Sequence, residues 1–338
     1  MVDADKYNFL CEHYEEHSQM TKEFLLTVYV KPPPSPTELS IYDIKGNRVF
    51  LKKGVYDQDG PIRLEDLYAG GMVMICARKF KVIGHADAAT RGHFSTNGEQ
   101  IHVTVGSAAF SSVSHLLSAA AAGALNVKRL KTVPDALPDR PPVVHLELVG
   151  ASAQGVVESF VQSAGLADRI TVSPSTAATE RVFESLETSA KHDSCSVCII
   201  RPHAVREGRA GAVLERLVDE NFEISALQGF SLTRPQAENF YEVYKTVVPS
   251  AQYSAMISEL ASGVCIVIEV RGPGNVVNAL RELCGPYDVE IAKHIRPGTI
   301  RAQLGRDNVH NAVHCTDLPE DGILESQYFF SILPAAGA

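Results

Sequence analysis

The sequence predicts an α+β protein: a β-rich N-terminal region followed by two ferredoxin-like modules of βαββαβ order, the first of them degenerate. Three observations predict it. Short alternating segments punctuated by turn residues fill the first 90 positions. From residue 99 onward, apolar runs alternate with segments of helical period. That alternation then passes through the same order twice.

Within the first region, Phe24 to Val30 reads as a strand stopped by Pro32-Pro33-Pro34-Ser35-Pro36. Leu39 to Ile44 alternates apolar and polar residues, then turns at Lys45-Gly46-Asn47 into Arg48 to Lys53, a hairpin pattern. A turn at Gly70-Gly71 precedes strands at Met72 to Cys76 and Phe80 to Ile83. The polar stretch from Ala86 to Gly98 reads as a linker. The first copy of the repeated plan has strands at 101–105, 127–133, 143–149 and 170–173, with helices at 112–124 and 153–164. In the second copy, strands at 198–200, 223–230 and 264–270 alternate with helices at 207–220 and 276–283; Val213, Leu214, Leu217 and Val218 form one helical face. Residues 231–262 separate the middle strands of the second copy, whereas only 134–142 do so in the first. The first copy therefore has no room for a pair of helices that the second contains. The domain boundaries expected are 1–91, 99–190 and 194–333.

Composition narrows the function. The chain has 338 residues, 31 Lys+Arg against 40 Asp+Glu, and a formal charge of −9, with 45% hydrophobic residues. This is globular composition, and a negative chain is a poor counterion-displacing partner for nucleic acid. Met1 to Lys6 carries acids where a signal peptide has a basic region, and no stretch approaches the roughly 18 apolar residues of a membrane helix. Seven cysteines are scattered and odd in number. A reducing, cytosolic setting without nucleic-acid or membrane partners is the expectation.

Few motifs rise above a structural reading. Cys195-Ser196-Val197-Cys198 has no second pair to close a metal tetrahedron, and strand geometry sends its thiols to opposite faces. Arg271-Gly272-Pro273-Gly274-Asn275 lacks phosphate-loop spacing and reads as a turn. The alanine run Ser118 to Gly123 reads as a closely packed helix, and no metal site is expected. Different in kind are Arg201-Pro202-His203, Arg296-Pro297-Gly298-Thr299-Ile300-Arg301, and Asn311-Ala312-Val313-His314-Cys315-Thr316-Asp317 with Glu325 eight residues on.

Together these resemble the nucleoside diphosphate kinases over residues ~194–333. The family's Lys-Pro-Asp turn stands here as Arg201-Pro202-His203, its Pro-Gly-Thr-Ile-Arg run is intact, and its Asn-x-x-His-Gly-Ser-Asp signature is Asn311 to Asp317. The resemblance implies that His314 takes a γ-phosphoryl group and that Glu325 hydrogen-bonds its other ring nitrogen. It implies phosphate contacts from Arg201, Arg281 and Arg301, ribose and phosphate contacts from Asn311, and Tyr241 beside the histidine. The base-stacking ring falls at Gln252 or Tyr253. Mg²⁺ would arrive on the nucleotide phosphates, and the activity implied is transfer from ATP to a nucleoside diphosphate. Three departures weaken that activity: Arg201 replaces a lysine, Tyr287 stands in place of a small phosphate-contacting threonine, and the base-stacking ring has no single matching position. One lost contact of this type costs about 10²–10³ in rate.

The first copy resembles the same family faintly, with no histidine in the nucleophile's place between Ile170 and Glu187; His102, His115 and His145 read as structural. Residues ~3–91, including Phe50-Leu51-Lys52-Lys53 and Leu64 to Gly70, are similar to the DM-ten domain of ciliary doublet-microtubule proteins. That resemblance implies a structural protein of the axoneme, a microtubule inner protein in contact with tubulin and other doublet proteins. An active cytosolic kinase is the alternative.

Overall fold

The computed structural model describes residues 5–15, 20–31, 35–56, 62, 64–67, 71–87, 89–90, 99–137 and 140–336. The expected stop at Pro32–Pro34, the glycine of the turn at Gly70 and most of the 86–98 linker lie outside them. The chain divides into two compact units, 1–99 and 100–338.

The first unit is an antiparallel sheet of six strands: β1 (Asp5–Glu15), β2 (Met20–Val30), β3 (Glu38–Asp43), β4 (Arg48–Gly54), β5 (Met72–Ile75) and β6 (Arg78–His85), in the order β4-β3-β2-β1-β6-β5. Central strand β1 is absent from the sequence reading above. Its signal is the alternation Tyr7, Phe9, Cys11, His13, of which Phe9 and Cys11 are fully buried. Phe24 meets Phe80 edge-on at 5.5 Å in the core below. Cys76, expected in a strand, instead pairs with Ala77 at φ 52° and 58° in the tight turn between β5 and β6. Two successive positive-φ residues give the twist that an antiparallel hairpin needs.

The second unit is one continuous sheet of eight strands. Its first four are β7 (Glu99–Val105), β8 (Asn126–Val133), β9 (Val143–Gly150) and β10 (Ile170–Pro174). The others are β11 (Cys195–Ile200), β12 (Glu223–Ser231), β13 (Val264–Arg271) and β14 (Val313–Cys315). The order β10-β7-β9-β8-β12-β13-β11-β14 is two ferredoxin-like sheets joined back to back through their second strands. Gln228 pairs with Lys131 across the seam, and Leu227 N–H donates to Thr132 Oγ1 at 2.9 Å. On one face, α1 (Val113–Ala122) packs against α5 (Ala210–Asp219), accompanied by α2 (Ala153–Ser163). The alanine run thus packs on the second module. A Cβ at Gly211 would stand 2.1 Å from Ser118 Oγ, so the helices approach backbone to backbone.

The helix expected over 207–220 forms as one helix but starts three residues later. Pro202 opens a short α4 (Pro202–Arg206), Gly208 at φ 71° ends it, and α5 starts at Ala210. Val213, Leu214 and Leu217 are buried, but Val218 is exposed because it falls roughly 90° from the centre of that face. The 231–262 insertion forms α6 (Arg234–Phe240) and α7 (Ser250–Leu260). They bury Ala237, Tyr241, Met256, Ile257 and Leu260 against Val197, Ile199, Cys265 and Val267 on the sheet's other face. The chain continues through α8 (Val276–Cys284), α9 (Val289–Ile295), α10 (Ile300–Leu304) and α11 (Asp321–Gln327), then a π-turn over Tyr328–Ile332.

In the first module that same face carries charge. α3 (Ala177–Glu184) lies there, with Arg129 bidentate to Glu180 at 2.6 and 2.8 Å and stacked over Phe183 at 4.5 Å. Buried Glu147 accepts from Arg129, Gln100 and Ser175. His102 and His145 stack with ring centres 5.2 Å apart, whereas His115 is exposed near Glu215. In the second module, buried Glu269 on β13 accepts backbone N–H bonds from Lys191 (2.6 Å) and His192 (3.1 Å) of the segment leading into β11, and hydroxyl bonds from Ser225 and Ser326.

Two outcomes are expected. Burial first, then the charges of His102 and Lys131, lower the His145 pKa to about 4, and burial lowers that of His102. Unfolded histidines bind protons near pH 6.5, so acidification from there to about 4 favours the unfolded chain. Urea midpoints followed by circular dichroism should fall across that window, and His145→Gln should flatten the fall. Glu269→Gln places an amide N–H against donors and should cost about 3 kcal/mol in the same assay.

Candidate active site

His314 sits at the centre of β14, a three-residue strand paired with β11, opposite Ile199. Its backbone is held by charged groups. The Arg301 guanidinium donates from Nε and Nη2 to Val313 O (both 3.2 Å) and from Nη1 to Gly285 O at 2.8 Å. Arg201 N–H donates to Ala312 O at 2.9 Å, and Arg201 Nη1 to Val309 O at 2.7 Å. Both arginines are buried. Such groups stay buried only when their donors are satisfied. Carbonyls take Nε, Nη1 and Nη2 of Arg301, whereas Arg201 gives Nη1 to Val309 O, lies 3.9 Å from Glu259 Oε2 and leaves its Nε without a partner.

The ring of His314 is oriented by Glu325, whose Oε2 lies 3.3 Å from Nε2. Thr316 Oγ1 donates to the same carboxylate oxygen at 2.8 Å and accepts from Val197 N–H at 2.9 Å. A carboxylate accepts only, so Nε2 carries the proton and Nδ1 the free lone pair. Phe240, Tyr241 and Tyr244 surround the imidazole at 5.1, 6.1 and 6.5 Å. Contact with Cys284, then burial, pushes the thiol of Cys315 well up. The residue following His314 is therefore a neutral thiol and no competing nucleophile.

His314 opens on a cavity of about 490 Å³, lined also by Arg201, Tyr244, Met256, Asn278, Arg281, Glu282, Tyr287, Arg296, Arg301 and Asp317. Its acids and bases are paired among themselves. Arg281 Nη1 donates to Asp317 O at 2.9 Å, Tyr244 OH donates to Asp317 Oδ2, and Arg296 pairs with Glu282. Burial, then the bond to Asp317, raises the pKa of Tyr244, so its phenol remains a donor.

The structure brings together Arg201, Arg281, Tyr287, Arg301 and His314 around the cavity, with Glu325 behind the histidine. Tyr241 is buried beside His314 without lining the cavity, its hydroxyl unpartnered. Asn311 is buried and donates to Tyr287 O at 3.3 Å. Tyr253 is not brought to the cavity; it packs on the core between α6 and α7, and its neighbour Gln252 reaches the cavity wall by donating to Tyr287 OH at 3.1 Å. Residues that sequence reasoning passed over are Tyr244, Asp317, Arg296, Asn278 and Glu259. Asp317 closes the Asn311 to Asp317 signature, and Tyr244 stands one turn beyond Tyr241. Glu259 carried its own signal, a lone acid on the apolar face formed by Met256, Ile257 and Leu260.

The profile of the nucleoside diphosphate kinase family matches residues 194–333. Nucleoside diphosphate kinase homolog 7 of Rattus norvegicus is 32% identical over 98% of this chain and 94% of its own length, and the Mus musculus protein of that name matches equally. This chain belongs to the nucleoside diphosphate kinase homolog 7 family. The nucleoside diphosphate kinase of Aquifex aeolicus is 32% identical over 40% of the chain and 93% of its own length. A crystal structure of that bacterial enzyme covers 42% of the chain at a TM-score of 0.39. In the homolog 7 member described here, the kinase-type module thus combines an intact histidine–carboxylate pair with arginines bound to the protein's own carbonyls.

Among the described residues, no group of three or more His, Cys, Asp or Glu is placed to hold a metal ion, and no helix is long and apolar enough to cross a membrane. All seven cysteines are free. The tautomer is directly measurable. Long-range ¹H–¹⁵N spectra should show His314 protonated at Nε2, and Glu325→Gln should move part of the population to Nδ1–H, because the amide no longer selects a donor.

Proposed function

We propose that this chain is a structural protein of ciliary doublet microtubules that keeps a nucleotide-binding, kinase-type module of weak phosphotransfer activity. The observation that carries the reading is the use of Arg201 and Arg301. Both stand where the family clamps phosphate, yet Arg301 gives Nε, Nη1 and Nη2 to the Val313 and Gly285 carbonyls, and Arg201 gives Nη1 to Val309 O, leaving its Nε without a partner. Binding of a nucleoside di- or triphosphate then falls mainly to Arg281 and Arg296, which must leave the Asp317 main-chain carbonyl and the Glu282 carboxylate respectively to engage it. The first module points the same way, since the Arg129–Glu180 pair and α3 lie over the sheet face that the kinase-type module uses for its helical insertion. The resemblance of residues ~3–91 to a microtubule-associated domain supplies the partners: tubulin and neighbouring doublet proteins, at the axoneme.

The second reading is a working nucleoside diphosphate kinase, favoured by the His314–Glu325 contact at 3.3 Å. In that reaction Nδ1 of His314 attacks the γ-phosphorus of ATP, the bond to the β,γ-bridging oxygen breaks, and ADP leaves. The acceptor diphosphate then takes the phosphoryl group from the ring in a second step. Glu325 stabilises the charge that develops on the ring. Mg²⁺ would enter on the phosphates and neutralise their charge; Glu282 and Asp317 are the cavity's own carboxylates.

Incubation of the purified chain with [γ-³²P]ATP should give slow, acid-labile label that His314→Ala abolishes; label persisting in that variant would refute the assignment of His314. In cilia, the His314→Ala protein should remain on salt-washed axonemes, because one imidazole adds little to a large buried contact. Deletion of residues 1–90 should release the chain. The reverse pattern would make phosphotransfer the reason for its presence.

A further inference from the structure

The residue two positions before His314 adopts a backbone conformation that its side chain disfavours. Ala312 has φ 69°, a left-handed value uncommon outside glycine and asparagine. Both its polar groups are held. Its carbonyl accepts from Arg201 N–H at 2.9 Å, and its N–H donates to Nε2 of buried His203 at 3.3 Å. On the opposite side of the His203 ring, Nδ1 lies 2.7 Å from Glu259 Oε1, and His203 N–H also reaches that oxygen at 3.2 Å. A backbone N–H can only donate, so Nε2 is the acceptor and the ring proton resides on Nδ1, directed at the carboxylate.

From this chain of contacts we propose that His203 is a positioning residue for His314: Glu259 sets its tautomer, and its Nε2 pins the Ala312 N–H that fixes the start of β14. The inference rests on His314 being the phosphate acceptor. His203 stands where the family's turn carries an acid, and a carboxylate there would accept the same bond. Protonation of His203 would put an N–H against the Ala312 N–H and break the link. The groups facing the ring are Glu259 from α7, Arg201 ahead of α4 and His310, whose ring lies edge-on at 5.1 Å. Burial first lowers the pKa of His203, against the bond to Glu259, which raises it. Burial also opposes the charge on Glu259, but bonds from His203 and the charge of Arg201 outweigh it and keep that carboxyl low. Neutral His203 beside ionised Glu259 is thus the state at neutral pH.

Two variants of the full chain test the proposal. His203→Leu removes the acceptor; His203→Gln offers an amide oxygen near the Nε2 position. Misplacement of the nucleophile should slow His314 labelling by roughly 10-fold or more in His203→Leu, with ATP affinity unchanged. His203→Gln should recover most of the rate. In ¹⁵N-alanine and ¹⁵N-histidine samples, the wild-type Ala312 amide should titrate with His203 below pH 6.5, and the His314 ring shifts should move in the Leu variant but not in the Gln variant. Labelling at the wild-type rate in a folded Leu variant overturns the proposal. So does an Ala312 amide indifferent to His203, a measurement that holds even if the Leu variant fails to fold. If the wild-type chain takes no label, the phosphotransfer reading has failed, while the ring shifts of His314 still decide whether His203 positions it.

Discussion

A strand of three residues cannot hold itself in a sheet, and the site depends on how this one is held. Among the described residues, β14 has β11 on one side and no strand on the other. Its Val313 carbonyl and the turn before it are instead bound by two buried guanidinium groups and a neutral imidazole, and just after it the Thr316 hydroxyl accepts from Val197 N–H of β11. A hydrogen bond from a charged donor contributes about 1.5–3 kcal/mol when both partners are buried, and losing one partner costs as much again. The orientation of His314, the shape of the cavity and the pairing of Glu325 all follow from that anchoring. Arg201 and Arg301 are therefore structural before they can be functional.

The second dependency is the seam between the modules. An exposed edge strand invites pairing with whatever arrives. β8 and β12 answer that by pairing with each other, and α1 lies on α5 with Gly211 permitting the close approach. The first module thereby serves as a built-in partner for the second. It keeps every strand needed for the eight-stranded sheet while its other face is filled by a polar layer of Arg129, Glu147, Glu180 and two stacked histidines. Such a layer is stable only when each member is satisfied, which the short distances there achieve. Loss of a site and retention of a fold are physically compatible here because they use opposite faces of one sheet.

Electrostatics inside the cavity have the same self-contained character. Arg281 and Arg296, the cations nearest solvent, are each matched by an acid, and Tyr244 shares Asp317 with Arg281. An arriving polyphosphate must compete with these contacts rather than fill a waiting positive cleft. That competition lowers affinity without erasing the geometry of the histidine and its carboxylate.

The amino-acid sequence alone determined the order of elements, the two copies of one plan, and the type of residue at the site. Those properties are local. Apolar period distinguishes strand from helix, nine residues cannot contain two helices, and the spacing from Asn311 to Glu325 is short enough to read as a unit. Strand β1 went unread: its alternation Tyr7, Phe9, Cys11, His13 is a local signal, but the polar residues among and beside it hide it. The tertiary structure decided what the side chains do with their hydrogen bonds. Nothing along the chain joins Thr132 to Leu227, Arg201 to Val309 or His203 to Ala312, each pair being about a hundred positions apart. A motif names an arginine, but its charge goes to whichever carbonyl or phosphate the folded backbone brings within reach. In this chain the backbone arrived first.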